Sequence, residues 1–324
     1  MDKISWGIIG CGSVTEVKSG PAFNKVDHST LTAVMRRDAQ KAEDYAKRHS
    51  VPKWYSDAHE LINDPDVNAI YVATPPSSHE EYAIASINAG KPVYIEKPMS
   101  LTADAAQLIS KVAKEKNVKV CVAHYRRFLP IFLNIKQLLE LKTIGETKYV
   151  SLIYAQPFDA AGFAPGPENW RLQPSISGGG IFHDLSPHQL DLMFYFFGTP
   201  QHVSGTSYNQ SGYYEADDIV SASVTFGDGV LFNGLWSFTA PESEAVDSCK
   251  IVGSEGSISF SIFTMNSLEL NIAGVRRDIA FARVQHVQEP MIREVVRYFR
   301  NERDNPCSAE DGVSVMKMID VITS

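Results

Sequence analysis

The sequence predicts an α/β domain followed by an α+β domain with a large, mainly antiparallel, open β-sheet. At 324 residues, the chain is about twice the length of a typical domain. Up to about residue 123, short apolar runs alternate with segments of helical period, as in βα units of a parallel sheet. After Gly145 the apolar period becomes two and the turns contain glycine, as in antiparallel hairpins. We predict domains at 1–124 and 125–324, and the last helix could pack back on the first domain.

The individual elements follow from the same patterns. In the first domain, strands are expected at 4–9, 31–35, 69–73, 93–95 and 118–122, and helices at 38–48, 78–89 and 102–116. One more helix is expected at 130–141, just after the domain boundary. In the second domain, strand-like runs lie at 147–156, 219–226, 229–238, 249–253, 256–263 and 267–274. Helices are expected there at 184–197, 289–300 and 309–324.

Composition and charge exclude several classes of protein. The net charge of -8 argues against a nucleic-acid partner, because such partners require a basic surface. Four scattered cysteines lack the spacing of a metal site or a disulfide framework. No apolar run reaches the roughly 18 residues that span a bilayer, and the start of the chain lacks a signal-peptide pattern. We therefore expect a protein of the reducing cytoplasm, with no bound metal and no membrane partner.

A glycine-rich turn follows the first predicted strand. The segment 8–15, Ile-Ile-Gly-Cys-Gly-Ser-Val-Thr, opens a helical stretch, which is the context of a dinucleotide-binding (Rossmann) fingerprint. The first glycine would make the tight turn, and the second would let the backbone approach a pyrophosphate. Thr15 replaces the third glycine, and a structural turn without a ligand is the alternative. The residues expected at the cofactor are Gly10, Cys11, Gly12, Ser13 and Val14.

The end of the second strand bears on the choice of cofactor. An acidic residue there would bind the ribose 2′-hydroxyl, whereas arginine accommodates a 2′-phosphate. Arg36 and Arg37 occupy this place, so the sequence favours NADP(H) over NAD(H). The alternative is that both arginines are surface charges and that Asp38 caps the next helix.

A third cofactor segment follows the strand at 69–73. Consecutive prolines hold the loop extended, so that Thr74 and Pro75 could contact the cofactor at the ligand-binding edge of the sheet. His79, four residues further on, could equally cap the next helix, pack, or touch a ligand.

These motifs, taken with two others, resemble one family. The segment 89–98, Ala-Gly-Lys-Pro-Val-Tyr-Ile-Glu-Lys-Pro, and the segment 178–191, Gly-Gly-Gly-Ile-Phe-His-Asp-Leu-Ser-Pro-His-Gln-Leu-Asp, match signatures of the two domains of the glucose-fructose oxidoreductase / inositol dehydrogenase (Gfo/Idh/MocA) family. The resemblance covers essentially the whole chain, and the order and spacing of the motifs make it specific.

The resemblance implies a hydride-transfer site made of Lys97, Asp184 and His188. A carbonyl that is being reduced develops negative charge on oxygen and needs a nearby cation or proton donor, which suits Lys97 at the end of a parallel strand. Glu96 and Lys97 are also expected at the cofactor. His188 would exchange the substrate proton and Asp184 would orient the substrate; the alternative for His188 is a buried structural histidine. Pro98 could follow a cis peptide bond.

The spacing of Asp184 and His188 is helical. Four residues apart, they share a helix face if the helix begins near Asp184, which would put Pro187 in the first turn, where proline is tolerated. The three glycines at 178–180 are expected to form a close backbone turn before that helix.

Two further pairs are candidate substrate contacts by resemblance. They are Trp170 with Arg171, and Tyr125 with Arg126. An isolated tryptophan is more often a core residue, and Tyr125 and Arg126 could instead serve packing and a salt bridge.

The expected function is therefore an NADP(H)-dependent oxidoreductase acting on the secondary alcohol or ketone of a sugar, anhydrosugar, inositol or related polyol. Two alternatives within the family are an NAD-assisted glycosidase and a non-catalytic dinucleotide-binding regulator. A homodimer or homotetramer is expected through the C-terminal sheet, because the sequence has no further helices to cover the sheet's second face.

Overall fold

The computed structural model describes residues 1–160 and 169–324. The chain divides into two compact units: unit 1 comprises Met1–Arg126 and Val284–Met316, and unit 2 comprises Arg127–Arg283 and Lys317–Ser324. The division after Arg126 lies close to the predicted boundary at 124/125, and residues 284–316, which include the start of the last helix, belong to unit 1. No helix in the two described ranges is long and apolar enough to cross a membrane.

Unit 1 is built on a six-stranded parallel sheet with the strand order β3-β2-β1-β4-β5-β6. Its strands are β1 (Ile4–Ile9), β2 (Ser29–Met35), β3 (Lys53–Tyr55), β4 (Ala69–Val72), β5 (Val93–Ile95) and β6 (Val120–Val122). The order reverses beside β1, so the loops after β1 and β4 diverge from a switch point, where such sheets bind ligands. The α/β class that the sequence predicts is confirmed.

Unit 1 also contains helices, which lie between and after its strands in the sequence. They are α1 (Ser13–Val17), α2 (Ala39–Arg48), α3 (Ala58–Asn63), α4 (His79–Asn88), α5 (Ala103–Lys116), α9 (Glu289–Phe299) and most of α10 (Ala309–Ile322). Asp57 accepts backbone N–H groups at the start of α3, and Thr102 does so for α5. Asn117 ends α5 in the left-handed conformation, with φ +52°.

The segment 284–316 joins unit 1 through contacts around β1 and β6. The ring of Phe299 lies 5.6 Å from that of Trp6. The carbonyl of Cys307 accepts the N–H of Val122 at 3.0 Å, and Asn305 donates to the Val120 carbonyl at 2.8 Å. These long-range contacts leave no pattern in the local sequence.

Unit 2 contains an eight-stranded sheet with the order β14-β13-β12-β11-β7-β10-β9-β8. Its strands are β7 (Thr147–Ala155), β8 (His202–Tyr208), β9 (Ile219–Thr225), β10 (Leu231–Ser237), β11 (Val246–Gly253), β12 (Gly256–Phe260), β13 (Ser267–Ile272) and β14 (Val275–Ala280). Every pair is antiparallel except β7 with β10. Its helices are α6 (Pro130–Glu140), α7 (Pro174–Ser177) and α8 (Gly180–Phe197). The predicted mainly antiparallel sheet is confirmed.

Three strands were missed in the sequence, and all three lie at a sheet edge. β3 borders the first sheet, and β8 and β14 border the second. In none of them is any residue buried. Without a buried face, an edge strand lacks the apolar alternation that identifies the central strands.

Candidate active site

The glycine turn after β1 leaves open space beside its backbone. Gly10 has φ +93°, and a Cβ there would lie 2.8 Å from the amide nitrogen of Thr74, so the position requires glycine. At Gly12, by contrast, an added Cβ would meet only the Gly10 carbonyl oxygen among the described residues, at 3.9 Å. The turn can therefore receive a pyrophosphate close to Gly12, at the switch point of the sheet.

Hydrogen bonds fix this turn in place. The carbonyl of Met35 at the end of β2 accepts the N–H groups of Gly10 and Cys11, at 2.9 and 3.1 Å. Thr15, which replaces the third glycine, donates its hydroxyl to the Gly12 carbonyl at 2.8 Å. Burial raises the pKa of the Cys11 thiol to about 11, so the thiol stays protonated near pH 7. Ser13 is exposed and Val14 half-buried at the start of α1.

Arginine, rather than a carboxylate, stands beside the turn at the end of β2. Arg36 donates from Nη1 to the Cys11 carbonyl at 3.4 Å and is half-buried. Arg37 is exposed. Asp38 caps α2 by accepting the N–H of Lys41 at 3.1 Å. Asp38 therefore has the capping role that the sequence offered as an alternative, and Arg36 nevertheless lies beside the glycine turn.

The loop after β4 presents a polar atom without a partner. Thr74 Oγ1 is buried and has no hydrogen-bond partner within the described part of the chain. Pro75 is half-buried and precedes the short 3-10 turn Pro76–Ser78. His79 is fully buried, and its ring nitrogens lie 2.7 Å from the Thr74 carbonyl oxygen and 2.9 Å from that of Pro98. His79 therefore joins the loops after β4 and β5, and burial lowers its pKa.

Glu96 belongs to a buried network that holds the backbone of Lys97. One carboxyl oxygen of Glu96 accepts from Tyr71 Oη and from Gln288 Nε2, and the other accepts the N–H of Lys97 at 3.1 Å. The Lys97 side chain is half-buried directly after β5, and the peptide bond between Lys97 and Pro98 is cis. Glu96 thus points into unit 1, where it positions the lysine segment.

Tyr125 and Arg126 are both buried in unit 1. The guanidinium carbon of Arg126 lies 5.5 Å from the ring centroid of Tyr125. This stacked pair is compatible with either of the two roles that the sequence leaves open.

In unit 2, α8 begins four residues earlier than we expected. The N–H of Gly180 donates to Ser177 Oγ at 2.8 Å, and Gly178 and Gly180 have φ +94° and +81°. The glycines thus form the predicted turn but also start the helix. Pro187 consequently lies inside α8 and not in its first turn. Because proline has no N–H, it cannot bond the His183 carbonyl one turn before it.

Asp184 and His188 lie on the same face of α8, four residues apart. Arg171 Nε donates to Asp184 Oδ2 at 2.8 Å, and the Arg171 guanidinium carbon lies 4.6 Å from the Trp170 ring centroid. Trp170 and Arg171 are half-buried, so Trp170 is not an ordinary core residue. His188 is 5 % exposed, and its ring lies 6.1 Å from that of Phe263 in an edge contact. Unit 2 therefore brings Trp170, Arg171 and Asp184 into one chain of contacts next to His188.

Several supporting residues escaped the sequence analysis. Gln288 holds Glu96 from a segment nearly 200 positions away, and no local pattern marks it. Arg127 and Asp191 form a fully buried ion pair, with 2.6 Å between Nη2 and Oδ1. The only signal for Asp191 is its position seven residues after Asp184 on the same helix.

The fold and the site define a class of protein. The parallel sheet with its glycine turn, the Thr74 hydroxyl, which has no partner among the described residues, and the adjacent arginine fit a nicotinamide dinucleotide. Together they define an NAD(P)-binding oxidoreductase. Residues 4–124 match the family described as "Oxidoreductase family, NAD-binding Rossmann fold", and residues 132–259 match the "GFO/IDH/MocA C-terminal domain". The chain belongs to the Gfo/Idh/MocA family, as its motifs predicted.

Known proteins similar to this chain agree with the assignment. "Oxidoreductase P35" of Formosa agariphila is 46 % identical over 319 residues, which cover 98 % of each chain. The NADP-dependent scyllo-inositol 2-dehydrogenase of Bacillus subtilis is 27 % identical over 72 % of this chain and 63 % of its own length. The structure of levoglucosan dehydrogenase in complex with NADH and levoglucosan superimposes with a TM-score of 0.88 at 22 % identity, covering 99 % of this chain and 96 % of that one.

Proposed function

We propose that this protein is an NADP(H)-dependent oxidoreductase that interconverts a secondary alcohol and a ketone on a sugar, anhydrosugar, inositol or related polyol. The observation that carries the proposal is the open space beside the backbone at Gly12. The Thr74 hydroxyl, which has no partner in residues 1–160 and 169–324, lies after the neighbouring strand β4, and Lys97 lies at the end of the next strand. The substrate class follows from relatives whose names specify an inositol and an anhydrosugar.

In this proposal the protein's own residues transfer the proton of the substrate hydroxyl and stabilise the reacting oxygen. A nicotinamide dinucleotide held by the turn at Gly10 and Gly12 and by the Thr74 hydroxyl would supply or accept the hydride. The Lys97 ammonium donates a hydrogen bond to the reacting oxygen and stabilises its negative charge. His188 accepts the hydroxyl proton during oxidation and returns it during reduction. Asp184, paired with Arg171, orients the substrate.

Variants of the two catalytic candidates test the chemistry. Lys97→Met and His188→Asn should each lower kcat by about 10²- to 10⁴-fold, because each removes a proton-transfer or oxyanion partner. Turnover is followed by absorbance of the reduced nicotinamide, and NADPH binding, followed by its fluorescence, should stay near the wild-type value in His188→Asn. Unchanged turnover in both variants contradicts the assignment, as does hydrolysis of an aryl glycoside without net cofactor turnover.

The preference for NADP(H) rests on Arg36 and Arg37. A 2′-phosphate near Arg36 would gain charge-assisted hydrogen bonds that the 2′-hydroxyl of NAD cannot make. The double variant Arg36→Ala/Arg37→Ala should lose about tenfold or more in kcat/KM for NADPH and little for NADH. Lys47→Ala, which removes an exposed cation from the far end of α2, is the matched control. A wild-type protein that prefers NADH would refute the preference.

We also propose a homodimer or homotetramer formed through the exposed face of the eight-stranded sheet. This face carries exposed apolar side chains on the central strands β7 and β10, where Leu231 stands opposite Tyr149 and Leu235 opposite Ile153. Covering such a stripe removes apolar surface from water. A cytoplasmic location is proposed as well, because the four cysteines are buried and none forms a disulfide.

A further inference from the structure

Unit 2 carries an aromatic cluster that the proposed chemistry does not use. The ring of Phe158, just after β7, lies 4.3 Å from that of Tyr213 and 5.9 Å from that of Tyr214. Tyr213 is 62 % exposed. We call these three residues the aromatic cluster.

The loop that supplies the two tyrosines is tied down by hydrogen bonds. Asp218, fully buried, accepts the N–H groups of Gln210 and Ser211, at 2.9 and 2.8 Å. Asn209 bridges the loop, since its amide nitrogen donates to the Tyr214 carbonyl at 2.6 Å and its oxygen accepts the N–H of Gly212 at 2.9 Å. An exposed ring on such an ordered loop loses little conformational entropy when a ligand stacks on it.

The loop packs on the first turn of α8, the helix that also carries Asp184. A Cβ added at Gly180 would meet the Ala216 Cβ at 2.3 Å, so the helix start and the loop are in close contact. Burial, followed by the carboxylates of Asp218 and Asp217 on the same loop, raises the pKa of Tyr214. The aromatic cluster therefore lies beside the part of unit 2 that we assign to the substrate.

Two buried polar atoms at this place lack partners. Among residues 1–160 and 169–324, neither Tyr214 Oη nor His183 Nδ1 has a hydrogen-bond partner. His183 is 5 % exposed, and burial lowers its pKa to about 4, so it is neutral near pH 7. Buried hydroxyl and imidazole groups are normally satisfied, and these two could be satisfied by hydroxyl groups of a ligand.

We propose that the aromatic cluster, with His183, is a carbohydrate subsite that binds the non-reacting part of the substrate. The exposed Tyr213 ring, supported from behind by Phe158, would stack on the apolar face of the sugar ring, and Tyr214 and His183 would bind its hydroxyl groups. The carboxyl groups of Asp217 and Glu215 at the same place disfavour phosphate or carboxylate ligands, so the ligand is a neutral sugar or polyol. This inference rests on the proposed function for its link to turnover.

Direct binding tests the subsite independently of catalysis. Levoglucosan, myo-inositol and methyl α-glucopyranoside are titrated calorimetrically into the NADPH-loaded protein and its variants. Tyr213→Ala should weaken sugar binding by about three- to tenfold, whereas Tyr213→Phe keeps the ring and should bind as wild type does. Tyr208→Ala, which removes another exposed tyrosine at the end of β8, is the matched control and should change nothing. In turnover, Tyr213→Ala should raise KM and leave kcat nearly unchanged.

Tyr214→Phe separates a ligand contact from a structural role. Because the hydroxyl lacks a protein partner in the described residues, its removal should leave the urea midpoint unchanged or raise it, while sugar binding weakens. The proposal is overturned if the wild type binds none of the sugars in the millimolar range, or if Tyr213→Ala binds them as tightly as the wild type. If sugars bind as expected but no hydride transfer occurs, the subsite stands and the proposed function fails.

Discussion

At the residue scale, the two glycines of the cofactor turn have different tasks. A methyl group at Gly10 would strain a backbone with φ +93° and collide with the loop after β4, whereas at Gly12 it would enter open space. We expect Gly10→Ala to lower the free energy of unfolding by about 1–3 kcal/mol. Gly12→Ala should fold with nearly wild-type stability and lose NADPH affinity. Urea unfolding and NADPH fluorescence measure the two effects, and equal stability losses in both variants would contradict this division.

His183 makes stability depend on pH. Its pKa falls from 6.5 to about 4 on burial, so between these values the unfolded chain binds a proton that the folded chain does not. Stability therefore rises with pH through this window, and lowering the pH from about 7 to about 5 should cost about 2 kcal/mol through this residue.

The variant His183→Phe should remove that share of the acid sensitivity, because phenylalanine does not titrate. The measurement compares urea midpoints of the two proteins at several pH values across the window. His202→Phe, at an exposed position of β8, is the control. Parallel pH profiles for His183→Phe and wild type would show that His183 does not titrate as its burial implies.

At the element scale, the N-terminus of α9 supports the end of β5. Gln288 Nε2 donates to the Glu96 carboxyl at 2.5 Å, and the Gln288 side-chain oxygen accepts from Tyr94 Oη at 3.3 Å, all within a buried region. Gln288→Leu removes these bonds without emptying the space, so we expect a loss of about 2–3 kcal/mol in unfolding free energy. Because Glu96 holds the N–H of Lys97, kcat should fall as well.

A matched control lies three residues earlier. Gln285 is exposed, and its side-chain oxygen accepts only a 3.4 Å bond from Lys25 in the described contacts. Gln285→Leu should change stability by less than about 0.5 kcal/mol. If the two leucine variants behave alike in urea titrations and in turnover, the buried network does not support Lys97.

At the scale of the whole molecule, the exposed sheet face determines the proposed assembly. Ile153→Asp with Leu235→Asp places two charges on neighbouring strands of that face, and their desolvation would oppose association. We expect this double variant to be monomeric at micromolar concentration by light scattering, and the wild type to be a dimer or tetramer. Leu108→Asp, which places a charge at an exposed apolar position of α5 outside that face, is the control. A monomeric wild type would refute the assembly.

The sequence by itself determined the order of the central strands and the long helices, and the identity of the cofactor turn. Buried central strands, helix caps and the turn at Gly10 depend on neighbours along the chain, so periodicity and residue type identify them. The spacing of Asp184 and His188 likewise fixed their shared helix face, although Pro187 misled us about where α8 begins. The edge strands β3, β8 and β14 escaped because they bury no side chain.

Tertiary structure alone decided the contacts between distant segments. Residues 284–316 belong to unit 1, and Gln288 from that segment donates to Glu96. Within unit 2, Arg171 pairs with Asp184, and the loop that carries Tyr213 and Tyr214 packs against Gly180. Each of these contacts depends on how whole elements pack against one another. A local stretch of sequence records which face of an element is apolar, but it does not record which distant residue will meet that face.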